Sequence, residues 1–449
     1  MWFILVVWDM IRHFRRVHTE TLYSALSARG LISQVTSPHL AEMAEQRQLG
    51  VYLGADPSAD SLHLGNLMPF MVLMHFYLRG HRVFPLIGGA TGVVGDPSGR
   101  KDERSAMAAQ QRLTNVDKIQ NQMSQILGNC RTSAAKYQPV AESGEISPVN
   151  NANWWQSMGM LEFLGTFGRH IRVSSMLARE SVKQRLSSEA GIGYNEFSYQ
   201  VLQAYDFYHL YTQHGCQCQI GGHDQWGNIT AGTDLINRLR PSSGDEPLGL
   251  TVPLLTTPSG EKFGKSAGNA VFLSAERTAP YHLYQYLVKS PDEAVEKYLK
   301  LFTFIPLPEI AHIVAEHNQR PEARVAQGRL AFEVTELVHG TEQAHAARIV
   351  SEAIFGAGQE SPQTLLAAFR SQNLVVSKQR DELREWKALV AELSGKSKSE
   401  AQRLVKQQAV YYGINREPVT SAKILDEQII DGVLLVRVGK TEYYVVEVL

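Results

Sequence analysis

Cysteine is scarce: Cys130, Cys216 and Cys218 are the three in 449 residues. That number excludes a disulfide framework and fits a reducing compartment. Cys216 and Cys218 form C-x-C with no Cys/His pair nearby, so two small apolar side chains on a strand are expected there rather than a structural zinc. No H-x-x-x-H or carboxylate cluster argues for a protein-built metal site. Long apolar runs are missing too; none approaches the roughly 20 residues of a membrane helix, so no membrane insertion is expected. An excess of charge is also lacking, since 44 Lys+Arg stand against 45 Asp+Glu for a net charge of -1. This excludes a chain that coats nucleic acid through its overall field, but not one with local basic patches. What remains is 44% hydrophobic and 20% charged residues, an ordinary globular composition at a length of several domains, with no solenoid period.

The first eight residues, MWFILVVW, are apolar, and Arg12, His13, Arg15, Arg16 and His18 follow. A secretory signal carries its basic residues first, so the order is wrong for export. Arginines with few acids fit a mitochondrial presequence, with Asp9 atypical. A frayed extension without an address is the plainer alternative.

From about residue 45, short apolar runs alternate with helical stretches, the pattern of parallel β/α units. Leu49–Gly54 reads as a strand closed by Asp56-Pro57. A helix follows from Leu64 to Gly80, with Leu67, Phe70, Met71, Met74 and Leu78 on one face. Val83–Ile87 reads as a second strand running into GGATGVVGDPSGR. Residues 154–214 read mainly as helices, including 197–206; strands are expected at Cys216–Ile220 and Leu250–Leu255. Periodic helices cover roughly 280–355, with Pro280, Pro291, Pro308 and Pro321 near their starts. A short β-rich tail, 433–449, has Gly439-Lys440 where a hairpin turn belongs.

Two segments carry chemistry. ADPSADSLHLGN, 55–66, places His63 and Asn66 around a helix start, where free N–H groups and the helix dipole favour phosphate. Gly65 lets a flat ring approach the backbone. About 200 residues later, Lys262-Phe-Gly-Lys-Ser266 sets two lysines either side of a glycine, a clamp for polyphosphate. GEKFGKS is one residue short of a Walker A loop and follows a late strand, which argues against a P-loop. Tyr199, Gln203 and Asp206 stand at i, i+4 and i+7 on one helix face. Three polar residues in that stripe, on an otherwise apolar helix, point to a ligand pocket.

H-x-G-N after a first strand with K-F-G-K-S after the last resembles the signature pair of class I aminoacyl-tRNA synthetases. YLGADPSADSLHLGN, GGATGVVGDPSGRK, NEFSYQVLQAYDFY and CQIGGHDQWGNITAG, in order and spacing, are similar to the tyrosyl-tRNA synthetase family of bacterial and organellar type. The resemblance is dense over 45–350 and loose in the tail. It implies an α/β fold: a Rossmann-like parallel-sheet catalytic domain over 36–275, with an inserted helical dimerisation segment at about 115–215. An α-helical anticodon-binding domain at 276–362 and a linker with a small α+β S4-like module at 363–449 would follow a presequence at 1–35. It also implies the partners: L-tyrosine, ATP with Mg²⁺, tRNA(Tyr) and a second copy of the chain. The compartment would be the mitochondrial matrix, or the cytoplasm of a bacterium.

By the same resemblance, His63 and Ser58 would contact the leaving pyrophosphate, and Lys262, Lys265, Arg100 and Arg104 would close on the transition state. A solvated basic loop is the plain alternative for the two arginines. Tyr52 and Asp206 would bind the substrate hydroxyl, and Asp96, Tyr199 and Gln203 the ammonium. Gly54, Asp56, Asn66, Gly222, Asp224, Gln225 and Lys265 would serve ATP. Asn66 stands where the family usually has a second histidine, and an amide still donates a hydrogen bond. Leu53 and Pro69 occupy places that often contribute ribose contacts, and His223 replaces a small residue.

Lys396, Lys398, Arg403 and Lys406 oppose only Glu400 in SKSEAQRLVKQQAV, which resembles the helix of an S4-like module and is otherwise an ordinary basic surface helix. Trp154, Trp155, Met158 and Met160 suit either a dimer patch or core packing. Two other classes compete with the enzyme: an RNA-binding relative that has lost catalysis, and an adenylate-forming enzyme for another amino acid, tryptophan nearest. Retained lysines and His63 oppose the first. Tyr52 and Asp206 oppose the second, because an indole has no hydroxyl to read.

Overall fold

The computed structural model describes residues 20–98, 107–138, 140, 143–187, 189, 191–240, 244–256, 263–266, 269–356, 360–439 and 442–449. The roles given to Arg100, Arg104 and Lys262 fall outside these residues, as does the presequence reading over 1–19; its remainder, 20–35, is folded, with the helix Leu22–Ala28 and the strand Gln34–Val35. The chain divides into two compact units. One takes in the described residues up to Arg277 together with Pro291–Ala326; the other holds Thr278–Ser290 and Gln327–Leu449.

The first unit is built on a six-stranded sheet. Its strands are β1 (Gln34–Val35), β2 (Gly50–Ala55), β3 (Arg82–Ile87), β4 (Val149–Asn150), β5 (Cys216–Gly222) and β6 (Leu248–Val252), in the order β1-β6-β5-β2-β3-β4. All neighbours pair parallel except β1, which runs antiparallel to β6 at the edge. Two residues carry no readable period, so this edge strand was invisible in the sequence. The central strands are apolar on both faces because helices cover both sides of a parallel sheet. Cys216 and Cys218 are buried in β5, where burial pushes both thiols up, Cys218 to about 12.

The helix after β2, Leu64–Leu78, has more than one apolar face. Every residue from Phe70 to Leu78 is buried, His75 and Tyr77 included. It is enclosed, so the one-face expectation gives way to a core helix. Pro69 lies inside it and has no N–H for the carbonyl of Gly65, which loosens the helix beside the H-x-G-N turn. The helix Tyr194–His214 includes 197–206 and ends where the expected helical stretch ends, at Gly215, whose φ of 61° suits a glycine cap. Its first turn is tied by Glu196 to Arg185, a fork pair at 2.9 and 2.6 Å with both side chains 3% exposed. Breaking one partner of such a pair would strand a buried charge.

The second unit combines the helices Pro280–Val288, Thr341–Phe355 and Pro362–Ser371 with a five-stranded sheet. Its hairpin, Val433–Val438 with Glu442–Val448, is the expected β-rich tail, and Gly439 takes φ 63° at the turn. Trp386, Val390, Val410, Leu434, Val436 and Val446 form its core beneath the helices Trp386–Ser394 and Lys398–Lys406. Ser397 caps the latter helix by accepting from the Glu400 N–H at 3.2 Å. Lys398, Arg403 and Lys406 are exposed. Lys396 is not available with them: it pairs with Glu442 at 2.6 Å, an acid 46 residues away that no local reading of charge includes.

Candidate active site

The order of the sheet locates the crevice. From β2 the chain crosses to β3 on one side, and from β5 to β6 on the other, so the direction of winding reverses between β2 and β5. Ligands of open α/β sheets bind at the carboxyl ends of strands at such a switch point. Here those ends lead into the helices Leu64–Leu78 and Trp226–Leu239, and the polar residues singled out in the sequence gather around them.

Tyr52 and Asp206 form the floor. Tyr52 lies in mid-strand, in register with Phe84 of β3 and Gln219 of β5, and packs its ring 5.3 Å from Phe207. It is 2% exposed, and its hydroxyl is buried with no hydrogen-bond partner. Burial, and next the charge of Asp206, push that hydroxyl well above its ordinary pKa, so it stays protonated. Asp206 is equally buried but richly held. Oδ1 accepts from the indole N–H groups of Trp154 and Trp155, both at 2.7 Å, and Oδ2 accepts from Asn151 Nδ2 at 3.0 Å. Burial raises its pKa to about 6, against the pull of the three donors. A buried carboxylate keeps its charge near neutrality through such donors.

From the floor a chain of hydrogen bonds runs to the other side of the pocket. Asn151 also donates to Thr91 Oγ1 (2.9 Å), Thr91 donates to Asp56 Oδ1 (2.9 Å), and Tyr199 OH donates to Asp56 Oδ2 (3.0 Å). Gly88 permits this approach, since a Cβ there would sit 2.1 Å from Asp56 Oδ1. A second cluster surrounds Asp96, which accepts from Gln225 Nε2 at 2.8 Å and from the Ser98 N–H at 2.9 Å. Asn228 donates to Gln203 Oε1 at 3.0 Å and lies 3.2 Å from Gln225 Oε1. Asp96, Tyr199 and Gln203 thus reach one place as expected, with Asp56 and Gln225 turned toward them. Asp224 lies 3.3 Å from Gln225 Nε2, just after Gly222, which admits no Cβ without a 2.6 Å clash with Asp224 Oδ1. His223 meets the Ser33 hydroxyl at 3.4 Å, an edge contact that local sequence could not suggest.

The third part joins the two signature segments. His63 is exposed at the N-cap of the helix Leu64–Leu78, and Asn66 Oδ1 accepts from its backbone N–H at 3.0 Å. Asn66 therefore closes the helix start and keeps its amide Nδ2 as a donor. Gly54 and Ser58 lie exposed along the same rim. Leu53 is 5% exposed. The segment after the lysine loop runs back along this turn. Leu64 N–H donates to Val271 O (2.8 Å), Leu273 N–H to Leu62 O (2.8 Å) and Ser274 N–H to Ser61 Oγ (3.0 Å). Gly264, at φ +86°, presses so close that a Cβ would lie 3.0 Å from Gly65 N. Two glycines, one in each segment, are what let the backbones meet. Lys265 sits in a two-residue strand paired with Asn269–Ala270.

Asn151, Thr91 and Asn228 were missed in the sequence, although Asn151 and Thr91 together link Asp206 to Asp56 and Asn228 joins Gln203 to Gln225. Asn150-Asn151 at the end of a strand was the available signal, since amides at carboxyl ends of buried strands rarely serve packing alone. Trp154 and Trp155 were read as core or dimer patch. Trp154 is 8% exposed and Trp155 belongs to the same apolar cluster, but both indoles also hold Asp206.

Residues 43–356 match the model of the class I tRNA synthetases for tryptophan and tyrosine (W and Y). The mitochondrial tyrosine–tRNA ligase of Saccharomyces cerevisiae is 44% identical over 96% of this chain and 89% of its own length. The tyrosine–tRNA ligase of Lactobacillus johnsonii is 41% identical over 94% of this chain and 98% of its own. Among solved structures, a C-terminally truncated mitochondrial tyrosyl-tRNA synthetase of Aspergillus nidulans matches 77% of this chain and 98% of its own, with TM-score 0.69 and 35% identity.

Proposed function

The chain belongs to the tyrosyl branch of the class I aminoacyl-tRNA synthetases, and from that premise we propose how its residues divide the reaction. Its substrates are L-tyrosine, ATP and tRNA(Tyr). Tyrosine carboxylate attacks the α-phosphate of ATP and releases pyrophosphate; the tyrosyl group then passes to the ribose at the tRNA 3′ end. No protein nucleophile is needed, so the protein holds reactants in line and stabilises phosphate charge.

Tyr52 and Asp206 read the phenol. The carrying observation is a buried Tyr52 hydroxyl without a partner near a carboxylate whose other contacts are already made. Tyrosine supplies the missing partner, whereas phenylalanine leaves the Tyr52 hydroxyl unpaired. Asp96, Tyr199 and Gln203 receive the ammonium. Gly54, Asp56, Asn66, Gly222, Asp224 and Gln225 line the adenosine side. Ser58, His63, Lys262, Lys265, Arg100 and Arg104 serve the phosphates. Mg²⁺ would accompany ATP, held chiefly by its phosphate oxygens.

The chain acts as a homodimer in this reading. Among the described residues, seven of the fifteen exposed large apolar side chains fall between 160 and 194, including Met160 (67% exposed), Leu161 (85%) and Tyr194 (71%), an unusual density for a segment left in water. Leu161→Asp is expected to shift sedimentation toward the monomer, and an unchanged dimer would move the interface elsewhere. The exposed Lys398, Arg403 and Lys406 are the tRNA contacts of the second unit, in an S4-like module. The presequence pattern and the mitochondrial relatives support the mitochondrial matrix.

Exchange of pyrophosphate into ATP tests the chemistry. It is expected with tyrosine and nearly absent with phenylalanine or tryptophan. No exchange with any amino acid would reject the enzyme reading.

A further inference from the structure

The lysine loop has an anchor inside the first unit. Phe263, between Lys262 and Gly264, is 6% exposed. Its ring centroid lies 4.6 Å from that of Tyr298, and it stacks on Phe302 at 5.2 Å and 18°. Tyr298 and Phe302 lie on one face of the helix Asp292–Phe302 and are buried. Where that helix stands therefore decides where Phe263 stands, and Gly264 transmits the position to the H-x-G-N turn through its close approach to Gly65.

The helix is itself held at its C-terminal end by one side chain from the start of the described chain. Arg29 follows the helix Leu22–Ala28 as its C-cap. Its Nη1 donates to Lys300 O at 3.2 Å and Thr303 O at 2.9 Å, and its Nη2 donates to Ile305 O at 2.7 Å. The last carbonyls of a helix have no partner within it, and a cation there also suits the helix dipole. A planar fork meeting three carbonyls fixes angle as well as distance, which a lysine could not do. Arg29 is 8% exposed, so water does not compete for these carbonyls.

We infer that Arg29 is a positioning residue for amino-acid activation, acting through the helix Asp292–Phe302 and the Phe263 anchor on the placement of Lys265. This rests on the reading that this lysine serves the phosphates. A displacement of about 1 Å in a charge-stabilising group can cost ~100-fold in rate, so a remote clamp of this kind has kinetic consequences. The tyrosine pocket is held by other elements and should not feel it.

The test is a double-mutant cycle on the full chain, joining Arg29→Met and Lys265→Ala, with Arg29→Lys beside it. Tyrosyl-adenylate formation is followed in single turnovers, and tyrosine Kd by fluorescence. Arg29→Met is expected to slow adenylate formation about 10- to 100-fold with tyrosine Kd within about twofold. In the Lys265→Ala background the same change should cost less than about threefold, because the clamp acts through that lysine's loop. Arg29→Lys should recover part of the rate. Equal factors in both backgrounds, no loss in the single variant, or a tyrosine Kd rising in step with the rate loss would overturn the inference. If Lys265→Ala leaves the rate untouched, the phosphate reading fails instead. Should Arg29→Met not fold, Phe302→Leu enters the same cycle from the other end of the linkage, with the same outcomes.

Discussion

The two ends of the active site are built in opposite ways. At the tyrosine end, regular elements carry a closed set of bonds: a pocket helix, two central strands and a pair of indoles around Asp206. At the phosphate end, a turn and a loop meet through two glycines, and their fixed points, Phe263 and the backbone bonds of 271–274, lie beside the chemistry rather than in it. A discriminating pocket must leave one definite vacancy in an otherwise satisfied set of partners. A charge clamp needs only correct position, which can be set from a distance. Selection and rate should therefore respond to different residues.

The largest expected effect is at the phosphate end. Lys265→Ala should raise the barrier to activation by about 2.7–4 kcal/mol, the usual value of one such contact, while tyrosine Kd barely moves. Rapid-quench measurement of adenylate decides this, and a large loss of affinity would merge the two ends.

Next comes the floor. Asp206→Asn keeps the shape but turns an NH₂ group toward either the indoles or Asn151. Losing a hydrogen bond to a charged group is worth about 1.5–3 kcal/mol, so kcat/KM for tyrosine should fall by roughly 10- to 150-fold, with phenylalanine much less affected. Equal losses for the two amino acids would remove Asp206 from hydroxyl reading.

Acid should act on the floor. The Asp206 pKa of about 6 lies above the ordinary 3.8, so the free native protein holds this proton more tightly than the unfolded chain. Its contribution to stability is thus fully present below about 3.8 and lost as pH rises through about 6. Tyrosine binding runs the other way, because only the carboxylate can accept the phenol hydrogen. Below about pH 6, kcat/KM for tyrosine should drop about tenfold per unit. A profile that is flat down to pH 5 would contradict the assignment.

The smallest effect is the most telling about vacancy. Tyr52→Phe removes a buried hydroxyl that has no partner in the free protein. Thermal unfolding should show unchanged or slightly higher stability, by up to about 1 kcal/mol, while tyrosine affinity falls several-fold. A clear destabilisation would mean that the hydroxyl already has work in the fold.

Legibility followed the same divide. Of the residues proposed to touch substrate, Asp206 stood out as a polar residue in a helix stripe, His63 and Lys265 through the paired segments that carry them, and Tyr52 through the family resemblance alone. Those that hold them did not. Asn151 and Thr91 are ordinary polar residues until β4 and the turn after β3 bring them between Asp206 and Asp56. Arg29 is some 270 residues from the carbonyls it binds. Helix 292–302 read as a member of a separate helical stretch, because an amphipathic period says which face is buried but not against what. The enclosed helix Leu64–Leu78 shows the same limit, since apolar residues all round erase the period.

The central claim, that the two ends act separately, is tested most directly by the tyrosine dependence of single-turnover adenylate formation in Asp206→Asn and Lys265→Ala side by side. Asp206→Asn should raise the half-saturating tyrosine concentration and largely keep the plateau rate, whereas Lys265→Ala should lower the plateau at unchanged half-saturation. Both variants shifting both parameters in proportion would contradict it.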